Sequence, residues 1–225
     1  MHLHDFIEPL LLSMLFSAGV FLPVSCMVSP ASPLSITVAE AAPAATDMTK
    51  NAVDIVLQKI QDGKAAEGLD LATKALASDP KNATLIALRG ACYIEVKQPQ
   101  KALEDLNRAL QLDSNLAFAY ALRGQAYYDL DQYDKAIPDL DIGIQSNITS
   151  CYSTRGKAHY FLKHYDQSIK DLTKAIELHP TASDYGFRAE SYGSLQEYDK
   201  ALPDFNKSLS LYPNNPYFQI GRAHV

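Results

Sequence analysis

Residues 120–140 read YALRGQAYYDLDQYDKAIPDL, a stretch that carries the pattern of two short helices. Tyr120 and Tyr127 are seven residues apart, so they lie on one face of a first helix. Ala136 and Leu140 share one face of a second helix in the same way. Because only a short segment separates the two patterns, the stretch predicts a helix hairpin.

The hairpin is repeated along the chain. Equivalent arginines are separated by 34, 32 and 33 residues, at Arg89, Arg123, Arg155 and Arg188. Each is followed by a small residue, and each second helix places a large apolar residue four positions after another small one, in the pairs Ala102 and Leu106, Ala136 and Leu140, Ser168 and Leu172, and Ala201 and Phe205. A period of this length is typical of a solenoid of stacked helix pairs.

With these positions in register, the chain resembles the tetratricopeptide-repeat family, whose pattern sets aromatic, Gly, Tyr, Ala, large apolar and Pro residues at fixed offsets. Pro180 and Pro213 supply the last position. The resemblance covers residues 49–215 and implies an all-α fold, a right-handed solenoid of antiparallel helix pairs. Two features depart from the family: Ile86 holds an aromatic position, and the arginines stand where an aliphatic residue is usual.

The resemblance divides the chain into three parts. Residues 1–45 form a signal or anchor segment with a linker, residues 46–215 form the repeat domain, and residues 216–225 form a tail. The domain holds five helix pairs, repeats 1 to 5, at about 49–82, 83–116, 117–148, 149–181 and 182–215. Repeat 1 is degenerate, as expected for a terminal repeat, because Ile55 and Val56 replace Arg-Gly.

The first 45 residues differ in kind from the rest. An apolar run from Leu10 to Val24 is followed by a stretch rich in Pro, Ala, Ser and Val. The run has the length of a signal-peptide core, and small residues that suit cleavage follow it. Because no Lys or Arg precedes the run, an uncleaved membrane anchor and a wrongly assigned start codon are the alternatives. We expect an exported protein, periplasmic or extracellular, or a membrane-anchored one.

The tail, residues 216–225, has two interpretations. Arg222 falls 34 residues after Arg188, as in the first helix of a sixth repeat. The segment Ile220–Val225 also back-translates as ATC GGA AGA GCA CAC GTC, part of a common sequencing-library adapter that continues with a stop codon. We expect an artefactual end, and the underlying DNA sequence decides between it and a truncated sixth helix.

Composition argues against nucleic-acid binding. Net charge is −6 and 47% of the residues are apolar, as in a globular chain with a packed core, and no cluster of Lys or Arg suits a phosphate backbone. Phosphate-loop, nucleophile-elbow and zinc-protease motifs are absent. His159 and His164 lie too far round a helix to share a metal, and Cys92 and Cys151 suit buried thiols. We expect no enzyme, metal or cofactor.

In the family that the chain resembles, first helices line a concave surface, which implies a groove for a peptide or protein partner. The residues that face this groove are predicted to be Phe118, Gln125, Tyr128, Asp129, Lys157, Tyr160, Phe161 and Glu190. Rings around Lys157 suit a peptide, although they would also serve to fill a curved inner face. We predict that truncating Tyr128 and Tyr160 together weakens partner binding by about 2 kcal/mol.

The functional prediction is therefore a non-catalytic scaffold for protein interactions. The alternative is an accessory module of a larger envelope assembly or enzyme. The partner is expected to be a protein or peptide and not a nucleic acid, with membrane contact only through the N-terminal segment.

A second set of residues predicts structural ion pairs. Each of the four arginines is accompanied sixteen residues later by an aspartate, at Asp105, Asp139, Asp171 and Asp204, whereas repeat 1 lacks both members. Charges at half-buried positions need partners. The sequence leaves open whether each arginine meets the aspartate of its own repeat or that of a neighbour.

Overall fold

The computed structural model describes residues 45–225, with side chains from residue 51 onward, and this part forms eleven α-helices and no strand. The helices are α1 Ala45–Gln61, α2 Ala65–Ser78, α3 Ala83–Glu95, α4 Pro99–Leu112, α5 Ala117–Asp129, α6 Tyr133–Gln145, α7 Cys151–Phe161, α8 Tyr165–Leu178, α9 Ala182–Ser194, α10 Tyr198–Leu211 and α11 Pro216–Ala223. The predicted export or anchor segment, up to residue 44, lies outside the described residues. None of the described helices is long and apolar enough to cross a membrane.

The helices form two layers. The odd-numbered helices α1 to α9 are the first helices of repeats 1 to 5, and the even-numbered helices α2 to α10 are the second helices. Each second helix packs against its own first helix and against the next one. Successive first helices also contact each other, whereas no comparable contact joins successive second helices in the described chain, so the array curves with the first helices inside. The predicted all-α solenoid of helix pairs is confirmed.

A residue with a positive φ ends the first helix of every repeat. The equivalent positions, with φ between 58° and 70°, hold Gly63, Lys97, Asp131, Lys163 and Gln196. This conformation lets the next amide reach back to a helix carbonyl, as Gln132 N–H does to Tyr127 O at 2.9 Å. The contact is the six-to-one hydrogen bond of a Schellman motif, and it reverses the chain into the second helix.

The two helices of a repeat approach closely at the glycine that follows each arginine. A Cβ added at Gly124 would lie 2.7 Å from Cγ of Leu140, and the equivalent glycines of repeats 2 and 4 are similarly crowded. Only a residue without a side chain fits this approach unless the leucine moves. Repeat 5 has Ala189 at this position, and its second helix carries Phe205 in place of leucine.

A largely buried ion pair joins the two helices of repeats 2 to 5. Arginine Nε and Nη2 donate to both carboxylate oxygens, at 2.6–2.8 Å, in the pairs Arg89 and Asp105, Arg123 and Asp139, Arg155 and Asp171, and Arg188 and Asp204. Each arginine therefore meets the aspartate of its own repeat. In repeats 3 to 5, Nη1 also donates to the second helix of the preceding repeat, at Asn107, Asp141 and Thr173. The same guanidinium thus ties one repeat to the next.

The interior changes character along the chain. A continuous apolar core runs from Val56 through repeats 1 to 3 and ends at Cys151, the first residue of α7 in repeat 4. A second apolar cluster around Phe205 and Phe218 is much smaller. Between them lies a set of buried polar residues, which we call the polar seam: Ser153, Thr154, Lys157, Ser168, Asp184 and Ser191.

Candidate functional site

Six rings form a continuous aromatic row along the first-helix side of repeats 3 to 5 and onto α11. Phe161, at the end of α7, stacks on Tyr133 with ring centroids 4.8 Å apart and also contacts Phe187 of α9 at 5.6 Å. Phe187 in turn contacts Tyr160 at 5.2 Å and Tyr217 of α11 at 6.5 Å. The sixth member is Tyr128 of α5, which meets Tyr133 edge to face. These offset and edge-on arrangements are the favourable ones for ring pairs.

The row is fixed on one side and open on the other. Phe161 is 42% exposed and Tyr217 is 49% exposed, while the other rings are half-buried. Burial raises the pKa of the Tyr128 and Tyr160 hydroxyls, and burial together with a hydrogen bond to Asp131 raises that of Tyr133 to about 12. These hydroxyls therefore stay protonated at neutral pH. The row presents apolar ring surface with neutral hydrogen-bonding groups.

Carboxylates flank the row at both ends. Asp129, one residue after Tyr128, is exposed and accepts a 2.7 Å hydrogen bond from Gln125. Glu190 of α9 is half-buried near Tyr160, whose pKa its charge helps to raise. Loss of hydration beside the protein raises the pKa of both carboxyls above their ordinary values.

Lys157, predicted to lie in the groove, is instead part of the polar seam. Lys157 is only 3% exposed, and its Nζ donates to Ser153 Oγ at 2.8 Å and contacts Asp184 Oδ1 at 2.9 Å. Asp184 also accepts hydrogen bonds from Ser153 and from Thr181, the residue that caps α9. The carboxylate draws the ammonium group inward, so Lys157 joins repeat 4 to repeat 5 and is not presented to a partner.

Two other predicted groove residues also turn towards the protein. Phe118 is 6% exposed and belongs to the apolar core, because its ring packs inward at the start of α5. Gln125 is half-buried, and its amide oxygen accepts a hydrogen bond from Thr154 while its nitrogen donates to Asp129. The remaining predicted residues, Tyr128, Asp129, Tyr160, Phe161 and Glu190, lie along the row.

The described free thiols and His159 are not part of the aromatic row. Cys92 and Cys151 are buried free thiols, and burial raises the pKa of each to about 12, so neither is a nucleophile at neutral pH. Burial lowers the pKa of His159, whose Nε2 lies 3.9 Å from Asp171. Among the described residues no group of His, Cys, Asp and Glu is arranged to hold a metal.

Sequence reasoning missed Phe187, Tyr133 and Tyr217 as parts of this surface. The equivalents of Phe187 in repeats 2 to 4 are Leu88, Leu122 and Thr154, all of which are buried. The position of Phe187 within its repeat therefore does not indicate a surface role. Its size was a signal, because a phenylalanine cannot occupy the space of a threonine without reaching past the helix. Tyr133 begins α6 at the turn between the helices of repeat 3, and its stacking on Phe161 involves the next repeat.

Comparison with protein families gives two matches. The family described as anaphase-promoting complex, cyclosome, subunit 3 matches residues 61–141. The tetratricopeptide repeat matches residues 149–181 and 185–215. No curated protein sequence matches the chain.

Solved structures give many matches. The crystal structure of MamA protein is 25% identical, covers 75% of this chain and 93% of its own, and superimposes with a TM-score of 0.60. YrrB, described as a TPR protein with an unusual peptide-binding site, is 18% identical, covers 81% of this chain and 100% of its own, and has a TM-score of 0.63. A thermophilic TPR protein of Thermus thermophilus is 20% identical, with coverages of 78% and 97% and a TM-score of 0.58.

Proposed function

The chain is a tetratricopeptide-repeat protein, and from that premise we propose that it is a non-catalytic interaction scaffold which holds a peptide or protein segment on the aromatic row. The observation that carries the proposal is a set of touching rings that stays partly open on the concave side. Aromatic side chains of this kind, packed below and free above, are the usual anchors of protein interfaces.

The rings are held in place before any partner arrives. Phe161 is braced by Tyr133 on one side and by Phe187 on the other. A partner that covers a braced ring loses little side-chain freedom in doing so, which favours affinity. The row crosses α5, α7 and α9, so an extended or helical segment would meet several repeats in turn. A peptide-binding site is also the feature for which the structurally similar YrrB is described.

A second candidate function is that of a subunit within a larger assembly. The observation that favours it is the match of residues 61–141 to a family described as a subunit of the anaphase-promoting complex. The two proposals are compatible, since a scaffold that binds a segment of another subunit is an accessory module. Sedimentation of the native protein in extract tests the subunit proposal. We expect a species much heavier than the 24.8 kDa chain, and a free monomer would contradict the proposal.

Selection from a displayed library of random peptides, followed by affinity measurements, tests the binding surface. Two exposed apolar residues provide matched variants, because Phe161 is 42% exposed on the row and Leu112 is 43% exposed at the end of α4. We expect Phe161→Ala to weaken the selected peptides by about 2 kcal/mol, roughly 30-fold, and Leu112→Ala to leave their affinity unchanged.

Phe161 gives a sharper test than the pair Tyr128 and Tyr160, because both tyrosines are half-buried and support neighbouring rings. Far-ultraviolet circular dichroism of each variant checks that the helices remain. Peptides that bind Phe161→Ala as well as the parent, or a library that yields no binder, would contradict a peptide site on the row.

A further inference from the structure

The aromatic row differs from many of the other tyrosines in the described chain in having no cation of its own. Six tyrosines away from the row each lie within 6 Å of a Lys or Arg charge, as Tyr120 does beneath Arg123 at 5.3 Å and Tyr192 beneath Lys200 at 5.4 Å. In the described part of the chain no such cation covers a ring of the row. Ring faces attract cations through their quadrupole, so this surface offers an unused attraction.

The flanking carboxylates show the same pattern. The aspartates of repeats 2 to 5 are each satisfied by two hydrogen bonds from an arginine. Asp129 and Glu190, by contrast, form no ion pair within 4 Å among the residues described. Lys97 acts on Asp129 and His224 acts on Glu190 only at longer range, and Glu95 adds a third carboxylate beside Asp129. The basic residue predicted for the groove, Lys157, is bound to Asp184. The concave side therefore carries negative charge that the described residues compensate only in part.

We propose that the segment held on the aromatic row is cationic, with Lys or Arg side chains that lie over the rings of Phe161 and Phe187 and direct their charges to Asp129 and Glu190. This inference rests on the proposed function and specifies its partner. Both recognition elements select the same chemistry, since a guanidinium or ammonium group is attracted by a ring face and by a carboxylate. An acidic segment would meet repulsion from the carboxylates without any gain from the rings.

The half-buried position of Glu190 strengthens the attraction there. Loss of hydration raises the pKa of the Glu190 carboxyl, which reports a poorly hydrated charged form, whereas the Asp129 carboxylate is exposed to water and acts through its charge alone. An incoming cation restores favourable interactions that water does not supply there. Because protonation would remove the negative charge, binding of a cationic peptide should weaken as the pH falls through the carboxyl range.

Three synthetic peptides of equal length that alternate leucine with arginine, glutamine or glutamate test the proposal. Fluorescence anisotropy measures the affinity of each for the parent chain. We expect the arginine peptide to bind at least tenfold more tightly than the other two, with an advantage that shrinks between about 50 mM and about 500 mM salt. The double variant Asp129→Asn, Glu190→Gln should reduce the affinity for the arginine peptide by roughly tenfold.

Matched controls separate the local charges from the net charge. Asp70→Asn with Glu104→Gln removes the same two charges from exposed positions on the second helices α2 and α4, and should leave the arginine peptide bound as in the parent. Equal affinity for all three peptides, lost in Phe161→Ala, would overturn the cationic partner and keep the binding surface. Insensitivity of every peptide to Phe161→Ala would overturn both proposals.

Discussion

In repeat 3 the first helix buries Ala121 and Leu122, whereas at the same two positions repeat 4 buries Ser153 and Thr154. The contrast continues where Asp184 of repeat 5 takes a position that holds buried leucine, alanine or cysteine in repeats 2 to 4. Repeats 1 to 3 are therefore joined by apolar contacts, and repeats 4 and 5 are joined by hydrogen bonds and an ion pair. The backbone plan is the same in both regions.

This difference distinguishes the features that define a single hairpin from the contacts that join one hairpin to the next. The positive-φ turn and the pairing of Arg with Asp recur in both regions, so they define the hairpin. The interior between hairpins tolerates either apolar or polar contacts, provided that each buried polar group finds a partner. Large apolar rings in repeats 4 and 5 lie instead on the concave side, where the aromatic row begins.

The largest expected effect comes from breaking the polar seam. Lys157→Met should lower the free energy of unfolding by about 3 kcal/mol or more, because it leaves the carboxylate of Asp184, 1% exposed, without its counter-charge. Gln125→Met, the equivalent change in repeat 3, should lower it by only about 1–2 kcal/mol, because it removes two hydrogen bonds, to Thr154 and Asp129, but leaves no buried charge unpaired. Urea denaturation measures both.

The double variant Lys157→Met, Asp184→Leu replaces the ion pair of the seam by apolar groups. It should recover part of the lost stability, since replacing both members of a buried pair by apolar groups is often neutral, while the buried hydroxyl of Ser153 loses both of its partners. A double variant as unstable as the single one would show that the seam requires polarity for another reason.

A smaller effect is expected from the helix contact that the apolar region uses. Gly124→Ala forces a methyl group against Leu140, which lies 2.7 Å from the added Cβ, and should destabilise the protein by about 1–3 kcal/mol. Repeat 5 already accepts a methyl group at this position, so Ala189→Gly should cost only about 1 kcal/mol through helix propensity. Thermal unfolding of the two variants compares them, and equal losses would contradict a tighter contact in repeat 3.

The third prediction concerns the pH dependence of stability that His159, in the first helix of repeat 4, should cause. Burial holds the pKa of His159 below the ordinary value of 6.5, and although Asp171 opposes this shift, Arg155 and His164 add to it. The unfolded chain then binds a proton that the folded chain does not, so stability falls as the pH drops through 6.5 towards the lowered pKa. His159→Tyr, which restores the residue found in repeats 2, 3 and 5, should remove this part of the pH dependence. An unchanged profile between about pH 7 and about pH 5 would contradict it.

The smallest effect tests a feature that both regions share. Lys97 and Gln196 both adopt positive φ, at 60° and 61°, where glycine avoids the steric strain of a side chain. Lys97→Gly and Gln196→Gly should each raise the free energy of unfolding by up to about 1 kcal/mol. Similar gains in the two repeats would show that the turn is independent of the interior, and a loss in either repeat would contradict this account.

Much of this fold was predictable because its signals are local and repeated. The spacing of the arginines and the small residues that follow them set the hairpins, and four concordant copies make that pattern specific. The partner of each arginine was not predictable, because the repeat pattern is compatible both with the aspartate of the same repeat and with that of the neighbouring repeat. The three-dimensional packing of the two helices decides it.

The candidate site was predictable only in part. Lys157 was assigned to the groove by its position, and its burial depends on Asp184, a residue of the next repeat. An aspartate at a position that holds buried Leu85 and Ala119 in other repeats was the available signal. The ring of Phe187 joined the row for a similar reason, since side-chain contacts between repeats follow size and charge that a single-repeat pattern does not contain.

Photo-crosslinking tests the central claim most directly. A benzophenone amino acid is placed at Phe161 in one preparation and at Leu112 in another, two positions with the same exposure, and each is irradiated with a peptide selected on the parent protein. If the concave aromatic row is the binding surface, the peptide is captured from residue 161 and not from residue 112. Capture from residue 112 alone, or equally from both, would contradict the account.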